Sequence, residues 1–362
     1  MIRDLLQRAM RGEQLSAEDV ALAIGRLMDG EEPPALIAGL LVALAMKGET
    51  PEEVIGAARA MRDRALRVEH GLPLVLDVVG TGGDGAHTIN ISTAAALTVA
   101  GAGVPVAKHG NRAASSRCGS ADVLEALGVE LSLDPDEAAR RLRSDRMVFL
   151  FAQRFHPAMK NAAPVRRDLG VPTIFNILGP LTNPAGVQRL VLGVAQERLV
   201  MLVAEALLGL GCERGAVVHS LDGVDELSGA APAVVALVGG GRVELTRLDP
   251  QELGVRAQLS DLRGGDAPEN ARALESILSG ERSPRADVVA LNAALALQVA
   301  GLVEELREGL ALARQSIAQG AALATLQAMR APHRSMHARS ATDAREEMSG
   351  KMRGEPSGDR AP

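Results

Sequence analysis

The fold is decided by residues 74–122, LVLDVVGTGGDGAHTINISTAAALTVAGAGVPVAKHGNRAASSRCGSAD. The run 74–79 is mostly apolar without a helical period, which is typical of a buried strand. It leads into the glycine-rich segment 80–85, where glycines allow backbone N–H groups to approach an anion closely. An Ala-rich helix follows, for which Ser92 or Thr93 is the expected N-cap, with its positive end facing the glycine-rich segment.

A second strand, 104–107, leads into the basic segment 108–112, KHGNR, and another helix is expected to begin near Ser120. Two strand ends, two helix N-termini, a lysine and an arginine therefore meet at one place, which predicts a phosphate site. Lys108 is a rare lysine in a chain whose usual cation is arginine. A compact ammonium suits a phosphate pocket, although survival of this lysine by chance is the alternative.

The glycines at 80, 82 and 85 also match the G-x-G-x-x-G pattern of dinucleotide-binding folds. Those folds place an acidic residue at the end of the second strand, where it binds the ribose hydroxyls. Here the second strand ends in Lys108, and the helix begins near Ser92, outside the glycine run. The lysine at the strand end and the late start of the helix therefore argue against a dinucleotide site.

Composition sets wider limits on the class of protein. A chain of 362 residues can form one large domain and a smaller one. Its 47% hydrophobic and 23% charged residues are typical of a globular protein, and the net charge of −6 argues against nucleic-acid binding. We see no secretory signal, no membrane-spanning stretch and no disulfide framework, so we expect a cytoplasmic protein without a membrane partner.

The hydrophobic pattern predicts an α/β protein with two domains. Residues 1–70 predict a small all-helical N-terminal domain, joined by helices from about 157–185. Residues 74–330 alternate strands and helices, which predicts a large α/β domain with a mostly parallel central sheet flanked by helices. The apolar helix near 34–46 is expected to be covered by a partner subunit, and the polar tail 331–362 to be disordered.

Many short motifs, in order along the chain, resemble the anthranilate phosphoribosyltransferase family. The resemblance covers roughly residues 1–328, and Ile89, where the family usually has phenylalanine, is a small departure. The motifs are MKGETPEE at 46–53, GTGGDG at 80–85, TINIST at 88–93, KHGNR at 108–112, SS at 115–116, GSADVLEALG at 119–128, HPAMK at 156–160, VR at 165–166, TIFNILGPLTNPA at 173–185 and DGVDEL at 222–227.

The resemblance implies an enzyme of tryptophan biosynthesis. It would transfer the 5-phosphoribosyl group from phosphoribosyl pyrophosphate to anthranilate, with release of pyrophosphate, as a homodimer formed through the helical domain. The implied phosphoribosyl pyrophosphate site comprises Gly80, Gly83, Asp84, Thr88, Asn90, Ile91, Ser92, Thr93, Lys108, His109, Gly110, Asn111, Arg112, Ala113, Ala114, Ser115, Ser116 and Ser120.

The resemblance also implies a Mg²⁺ site and an anthranilate site. Adjacent acids such as Asp225 and Glu226 suit Mg²⁺, which one or two carboxylates and substrate phosphates usually hold, whereas alone they would indicate a solvated turn. Ser92 is the implied third metal contact. Arg166 is the implied partner of the anthranilate carboxylate, with Asn111 and Gly80 nearby.

Four phenylalanines are the only Phe, Tyr or Trp residues of the chain, and they lie at 149, 151, 155 and 175. Because this span also holds His156 and Arg166, it is a candidate wall for an aromatic substrate, although ordinary core packing explains each phenylalanine equally well. His109 is open to the same two interpretations.

Two further functions remain as alternatives at this point. A nucleoside phosphorylase would share the fold, but the lysine–serine phosphate motif of that family is not visible. A non-catalytic, nucleic-acid-binding relative should have lost the acids at 225–226 and gained a basic face, and neither change is visible.

Cys118 is the candidate reactive thiol. It precedes a predicted helix, with Lys108, Arg112 and Arg117 close in sequence, and helix N-termini and cations favour the thiolate. We therefore expect Cys118 to be the more reactive of the two cysteines and Cys212 to be inert.

Overall fold

The computed structural model describes residues 1–113 and 116–331. The chain begins as a bundle of four helices, and side chains cap two of them. The Asp19 N–H donates to the Ser16 hydroxyl at 3.1 Å, and Thr50 and Glu53 form a capping box. The helices are α1 (Ile2–Met10), α2 (Ala17–Asp29), α3 (Pro34–Lys47) and α4 (Pro51–Arg62).

Glu53 also ties these helices together. One carboxylate oxygen accepts from the Leu15 N–H and the other from the Lys47 ammonium, each at 2.8 Å. The fully buried charge of Glu53 is thus paired and hydrogen-bonded, as a buried charge must be. Lys47 therefore has a structural partner within the bundle.

A seven-stranded sheet follows, and its strand order is β3-β2-β1-β4-β5-β6-β7. The first five strands in this order, β3 to β5, pair in parallel. Strand β6 pairs antiparallel with β5 on one side and with β7 on the other. The predicted mostly parallel sheet is confirmed. The strands are β1 (Leu76–Gly80), β2 (Val106–Gly110), β3 (Met147–Phe151), β4 (Arg189–Gly193), β5 (Arg214–Ser220), β6 (Ala233–Gly239) and β7 (Arg242–Leu248).

The strand order places a crevice at the centre of the sheet. The chain runs from β1 outward through β2 to β3, and then returns to β4 on the other side of β1. Connections on either side of such a reversal part from each other, so ligands bind outside the carboxyl ends of the strands there. In this protein the crevice lies at the ends of β1 and β4.

Helices cover both faces of the sheet. The remaining helices are α5 (Ile91–Gly101), α6 (Ser120–Ala126), α7 (Pro135–Asp145), α8 (Ala152–Phe155), α9 (Met159–Leu169), α10 (Phe175–Leu178), α11 (Leu199–Gly209), α12 (Ala267–Leu278), α13 (Pro284–Ala300), α14 (Leu306–Ala318) and α15 (Ala321–Arg330). One hydrophobic core packs α5, α12, α13 and α14 against the sheet. A second core joins α11 to the four-helix bundle, and α9 contacts α2 and α3.

Two predictions about residue ranges are left untested. The domain boundaries at 1–70 and 74–330, with the joining segment 157–185, stay a prediction. The tail predicted as disordered lies outside the described residues from 332 onward. No helix within 1–113 or 116–331 is both long and apolar enough to cross a membrane.

The N-cap of α5 differs from the prediction. The helix begins at Ile91, so Ser92 and Thr93 lie within its first turn and neither is the cap. Asn90 occupies the N-cap position but makes no side-chain cap bond. Its amide is used elsewhere, because it donates to the Cys118 carbonyl and accepts from Asn270.

Candidate active site

A cleft of about 370 Å³ opens at the carboxyl ends of the central strands. Its walls are the ends of β1 and β2, the loops that follow them, the start of α5, the loop after β5, and residues of α9 and α10. The predicted site residues that line it are Gly80, Gly83, Asp84, Thr88, Asn90, Ser92, Lys108, His109, Gly110, Asn111, Arg112, Ala113, Ser116, Ser120, Arg166, Asp225 and Glu226.

Four predicted residues are not among these. Ile91 and Thr93 are fully buried, and they do not line the cleft because their side chains turn into the packing of α5. Their backbone N–H groups are also bonded within the chain, so their assignment to the site stays a prediction. Ala114 and Ser115 lie outside the described residues.

Glycines bring two loops together at the end of the sheet. Gly80 of β1 and Gly193 of β4 are paired in register, and a Cβ atom on either would overlap Asp225. Gly82, at φ 65°, donates its N–H to the Asp225 carboxylate at 2.8 Å. The glycine-rich segment therefore touches the acidic turn after β5, a contact that only residues without a side chain permit.

The acids form a crowded group at one end of the cleft. Burial, together with the charge of Asp84, raises the pKa of Asp225 to about 7. Burial, then the charges of Asp225 and Asp84, raises the pKa of Glu226 well above its usual range. Asp84 has a buried carboxylate oxygen without a hydrogen-bond partner among the described residues. Ionised together, these groups repel one another, and a divalent cation would relieve that repulsion.

The described residues contain no ready-made cluster of three His, Cys, Asp or Glu side chains able to hold a metal ion. The Ser92 N–H donates to the Glu226 carboxylate at 3.2 Å, which brings the start of α5 to the acids. The side chains present therefore supply part of a coordination shell for a hard cation and leave room for ligands from a substrate.

Lys108 is the buried cation of the cleft. Its ammonium donates to the Val78 carbonyl at 2.5 Å and to the Ser92 hydroxyl at 3.3 Å. Burial lowers the pKa of Lys108, while the charges of Asp77 and Glu226 oppose that change. The ammonium predicted for the phosphates thus lies beside the acids, but Lys108 is the middle residue of β2 and not the residue at the strand end that the sequence predicts.

Asp77 is a buried acid behind the cleft that is not among the predicted residues. It is fully buried within β1, and its carboxylate accepts from the His109 N–H at 3.3 Å and from the Asn183 amide at 2.8 Å. Burial raises its pKa to about 6, against the lowering effect of Lys108. A lone acid in the apolar run 74–79 is the signal that marks it in the sequence.

Asp122 shapes the loop after β2. One of its oxygens accepts from the N–H groups of Ala113 and Gly119, each at 2.9 Å. The guanidinium of Arg112 pairs with Asp122 at 3.0 Å and with Glu125 at 2.8 Å. Arg112 lines the cleft, but its charge is bound to acids of α6, so a phosphate has to compete for it.

Arg166 lines the other part of the cleft, on α9. Its guanidinium carbon lies 5.4 Å from the centre of the Phe175 ring, and burial lowers its pKa. No acid or carbonyl among the described residues pairs with this guanidinium, unlike that of Arg112. Phe175 lines the cleft although it is only 4% exposed, whereas the buried Phe149 and Phe155 do not line it, and the predicted wall for an aromatic substrate stays a prediction.

Two histidines lie below this region with their ring centres 5.1 Å apart. His109 donates from Nδ1 to the Gly179 carbonyl at 3.0 Å, and its Nε2 has no partner among the described residues. Burial, then the neighbouring His156, lowers the pKa of His109 to about 3. His109 is therefore neutral near pH 7 and presents Nε2 as a hydrogen-bond acceptor.

The structure argues against a reactive Cys118. The residue is buried, and burial raises the pKa of its thiol to about 11, helped by the charge of Asp122. Burial also raises the pKa of Cys212 to about 11. Lys108 and Arg112 do not stabilise the Cys118 thiolate, because they are bound to other partners.

The fold and the cleft are those of a two-domain glycosyl transferase. The family model described as "Glycosyl transferase family, a/b domain" matches residues 72–323. The model described as "Glycosyl transferase family, helical bundle domain" matches residues 3–65. Together these matches cover most of the chain.

Comparison with individual proteins identifies the family within this class. The chain is 50% identical to the anthranilate phosphoribosyltransferase of Symbiobacterium thermophilum, over 91% of this chain and 97% of that protein. The crystal structure of the Thermus thermophilus enzyme is 48% identical, with a TM-score of 0.86 over 91% of this chain and all of that chain (100%). The Saccharomyces cerevisiae enzyme in complex with PRPP and Mg is 29% identical, with a TM-score of 0.82 over 91% of this chain and 96% of that chain. The chain belongs to the anthranilate phosphoribosyltransferase family.

Proposed function

We propose that this cleft transfers the 5-phosphoribosyl group of phosphoribosyl pyrophosphate to the amine of anthranilate, with release of pyrophosphate. One observation carries the proposal. One end of the cleft, with Lys108 and the glycine-rich segment, suits phosphate groups. The other end holds the guanidinium of Arg166, which lies over the Phe175 ring and has no ionic partner in the described chain. The relatives compared above are anthranilate phosphoribosyltransferases, which supports the same reaction. Its place is in tryptophan biosynthesis, in the cytoplasm.

The phosphate end meets the main demand of this reaction. Breaking the bond from the ribose to pyrophosphate produces an oxocarbenium-like sugar and adds negative charge to the leaving group. The glycine-rich segment offers backbone N–H groups, and Lys108 offers a positive charge, at that end of the cleft. Because these groups are fixed by the fold, little reorganisation is needed when the charge develops.

Mg²⁺ fits the acids. Asp225, Glu226 and the Ser92 hydroxyl would hold it together with phosphate oxygens of the substrate, since buried, mutually repelling carboxylates suit a hard divalent cation. When bound, Mg²⁺ supplies positive charge that stabilises the leaving pyrophosphate. The yeast enzyme, described with PRPP and Mg, supports this assignment.

The Arg166 end suits anthranilate. A planar guanidinium binds a carboxylate through two parallel hydrogen bonds, and Phe175 below it offers a flat apolar surface. Asn111 and Gly80, the other predicted contacts, line the same cleft. His109 is too weakly basic at a pKa of about 3 to remove a proton efficiently, so a role as a hydrogen-bond acceptor suits it better.

The test of this function follows the fluorescence of anthranilate. Anthranilate should be consumed only when the protein, phosphoribosyl pyrophosphate and Mg²⁺ are all present. Consumption of a nucleoside with inorganic phosphate instead would favour the phosphorylase alternative. The acids that a nucleic-acid-binding relative should have lost are in place here.

We also propose a homodimer formed through the helical bundle. The sequence analysis chose the apolar helix α3 as the contact, but Leu40 and Leu41 of that helix are only 2% and 1% exposed within the chain itself. Charges at these two positions would disrupt the core, so they do not test dimer formation. Met10 and Met46 are 72% and 84% exposed, which makes the ends of α1 and α3 the better candidates.

The double variant Met10→Arg, Met46→Arg is therefore expected to break the dimer while the monomer stays folded. Buried charges at an interface have no partner, which disfavours association. Light scattering should report a monomer, and thermal unfolding should stay within a few degrees of the parent. Leu245→Arg is the matched control, because Leu245 is an exposed apolar residue of β7, outside the bundle. A dimer that persists in the double variant would contradict the proposed interface.

A further inference from the structure

Two buried asparagines on the C-terminal helices contact the substrate loops from behind. Asn270 of α12 and Asn292 of α13 are 2% and 3% exposed, and neither lines the cleft. Buried amides are costly unless their hydrogen bonds are satisfied, so their partners indicate why they are there.

Asn270 connects three segments around the phosphate end. Its oxygen accepts from the Gly265 N–H at 2.8 Å, and its NH₂ group donates to the Asn90 side-chain oxygen at 3.0 Å. This donation fixes the orientation of the Asn90 amide, whose NH₂ group then donates to the Cys118 carbonyl at 3.1 Å. The side chain of Asn90 links the start of α5 to the loop after β2, and Asn270 acts on that loop through Asn90.

The segment 262–265, to which Asn270 is bonded, also holds residues 87–89, which connect the glycine-rich segment to α5. The Gly264 N–H donates to the His87 carbonyl, and the Ile89 N–H donates to the Leu262 carbonyl, both at 2.8 Å. A Cβ atom on Gly264 would lie 2.6 Å from the Thr88 carbonyl oxygen and 2.8 Å from the Asn270 oxygen. Gly264 is therefore packed between the glycine-rich loop and Asn270.

Asn292 makes a separate contact, with the acidic turn. The Leu227 N–H donates to the Asn292 oxygen at 3.0 Å, and the Asn292 NH₂ group donates to the Leu227 carbonyl at 2.9 Å. Leu227 directly follows Glu226, so this pair of bonds fixes the backbone beside the two acids. Asn292 makes no hydrogen bond to the phosphate loops in the described part of the chain.

We propose that Asn270 and Asn292 are positioning residues that divide the site between them, Asn270 setting the loops that bind phosphoribosyl pyrophosphate and Asn292 setting the acids that bind Mg²⁺. The inference rests on the proposed function, but it assigns roles to two residues that never touch a substrate. Neither residue supplies a charge or a proton. Each acts only through the loop to which it is bound.

The test replaces each asparagine by serine, which is too short to make the same bonds and adds no charge. Calorimetry measures the binding of phosphoribosyl pyrophosphate at several Mg²⁺ concentrations, so no transfer to anthranilate is needed. Asn270→Ser should weaken binding by roughly tenfold at every Mg²⁺ concentration, about the effect of one or two lost hydrogen bonds. Asn292→Ser should raise the Mg²⁺ concentration for half-maximal binding by roughly tenfold and leave binding at saturating Mg²⁺ within about threefold.

Two controls separate positioning from general stability. Ser316→Ala removes another buried hydrogen bond, from the Ser316 hydroxyl to the Thr98 carbonyl at 2.9 Å, and should lower the melting temperature without changing either binding parameter. Asn270→Leu repeats the test with a side chain of similar volume. The proposal is overturned if both asparagine variants shift the same parameter, if they change only the melting temperature, or if no variant of Asn270 folds. Failure of the parent protein to consume anthranilate would refute the proposed function alone, because the binding measurements do not depend on it.

Discussion

The variant with Asp225→Asn and Glu226→Gln is expected to lose roughly a thousandfold in kcat/KM, equivalent to about 4 kcal/mol of transition-state stabilisation. The amides keep the shape of the acids and can still accept from the N–H groups of Gly82 and Ser92. They lack the negative charge that holds a divalent cation. Activity that remains should require a higher Mg²⁺ concentration than the parent does.

The fold should tolerate these changes, which separates lost catalysis from lost structure. A raised pKa means that the folded protein disfavours the ionised acid, so replacing it by a neutral amide removes a destabilising charge at neutral pH. The melting temperature should therefore stay level or rise. An unchanged Mg²⁺ titration with full activity would contradict the metal role.

The pH dependence of the parent protein has a defined sign. Because the pKa of Asp225 is about 7, protons compete with Mg²⁺ for this carboxylate as the pH falls from about 8 to about 6. The Mg²⁺ requirement should rise over that interval, and added Mg²⁺ should restore the activity. The amide variant should show no such shift.

Arg166→Ala is expected to raise the KM for anthranilate by roughly two orders of magnitude, and to leave the KM for phosphoribosyl pyrophosphate within about threefold. Removing one member of a buried charge pair costs about 2–5 kcal/mol, which brackets that change. The effect should be selective because the guanidinium lies on α9 over Phe175, while the phosphate end is built from other elements. Steady-state kinetics with each substrate varied in turn measure both constants.

Two neighbouring variants sharpen this test. Arg166→Lys keeps the charge but lacks the planar fork, so an intermediate KM is expected. Arg167→Ala removes the adjacent arginine, whose side chain is 78% exposed and pairs with Asp168, and it should have no effect on either KM. Equal changes in both KM values for Arg166→Ala would place this guanidinium elsewhere in the reaction.

The parts of the fold that follow from local patterns were predictable. The apolar run 147–151 forms strand β3, and the capping box at Thr50–Glu53 depends only on a cap, a proline and a glutamate that are close in sequence. The phosphate end was predictable for a related reason. Parallel strands bring the segments after them to one edge of the sheet, so 80–85 and 108–112 had to meet.

What the sequence could not predict depends on partners that are distant along the chain. Cys118 has basic neighbours in sequence, but Arg112 pairs with Asp122 and Glu125, and the thiol is buried. Leu40 lies on a helix that is apolar nearly all round, and only the packing shows that its own chain covers it. Local spacing carries no information about which of several neighbours a side chain contacts.

Asp77 and the two buried asparagines also have hydrogen-bond partners that the sequence does not identify. Asp77 and Asn292 are polar residues within apolar segments, a signal that the sequence does contain, whereas Asn270 lies in the mixed segment 267–272. Each of the three has a partner 32 to 180 residues away, namely His109 for Asp77, Leu227 for Asn292 and Asn90 for Asn270. A polar residue in a buried element therefore predicts a long-range hydrogen bond, although the identity of the partner requires the structure.

We propose above that one cleft joins anthranilate to phosphoribosyl pyrophosphate. The most direct test incubates the protein with both substrates and Mg²⁺, and measures anthranilate by fluorescence, pyrophosphate by a coupled assay and the product by mass spectrometry. We expect one pyrophosphate to be released for each anthranilate consumed, a product whose mass is that of anthranilate plus one phosphoribosyl group, and no reaction when any component is omitted. Pyrophosphate release that does not depend on anthranilate, or anthranilate that stays unmodified while phosphoribosyl pyrophosphate is bound, would contradict it.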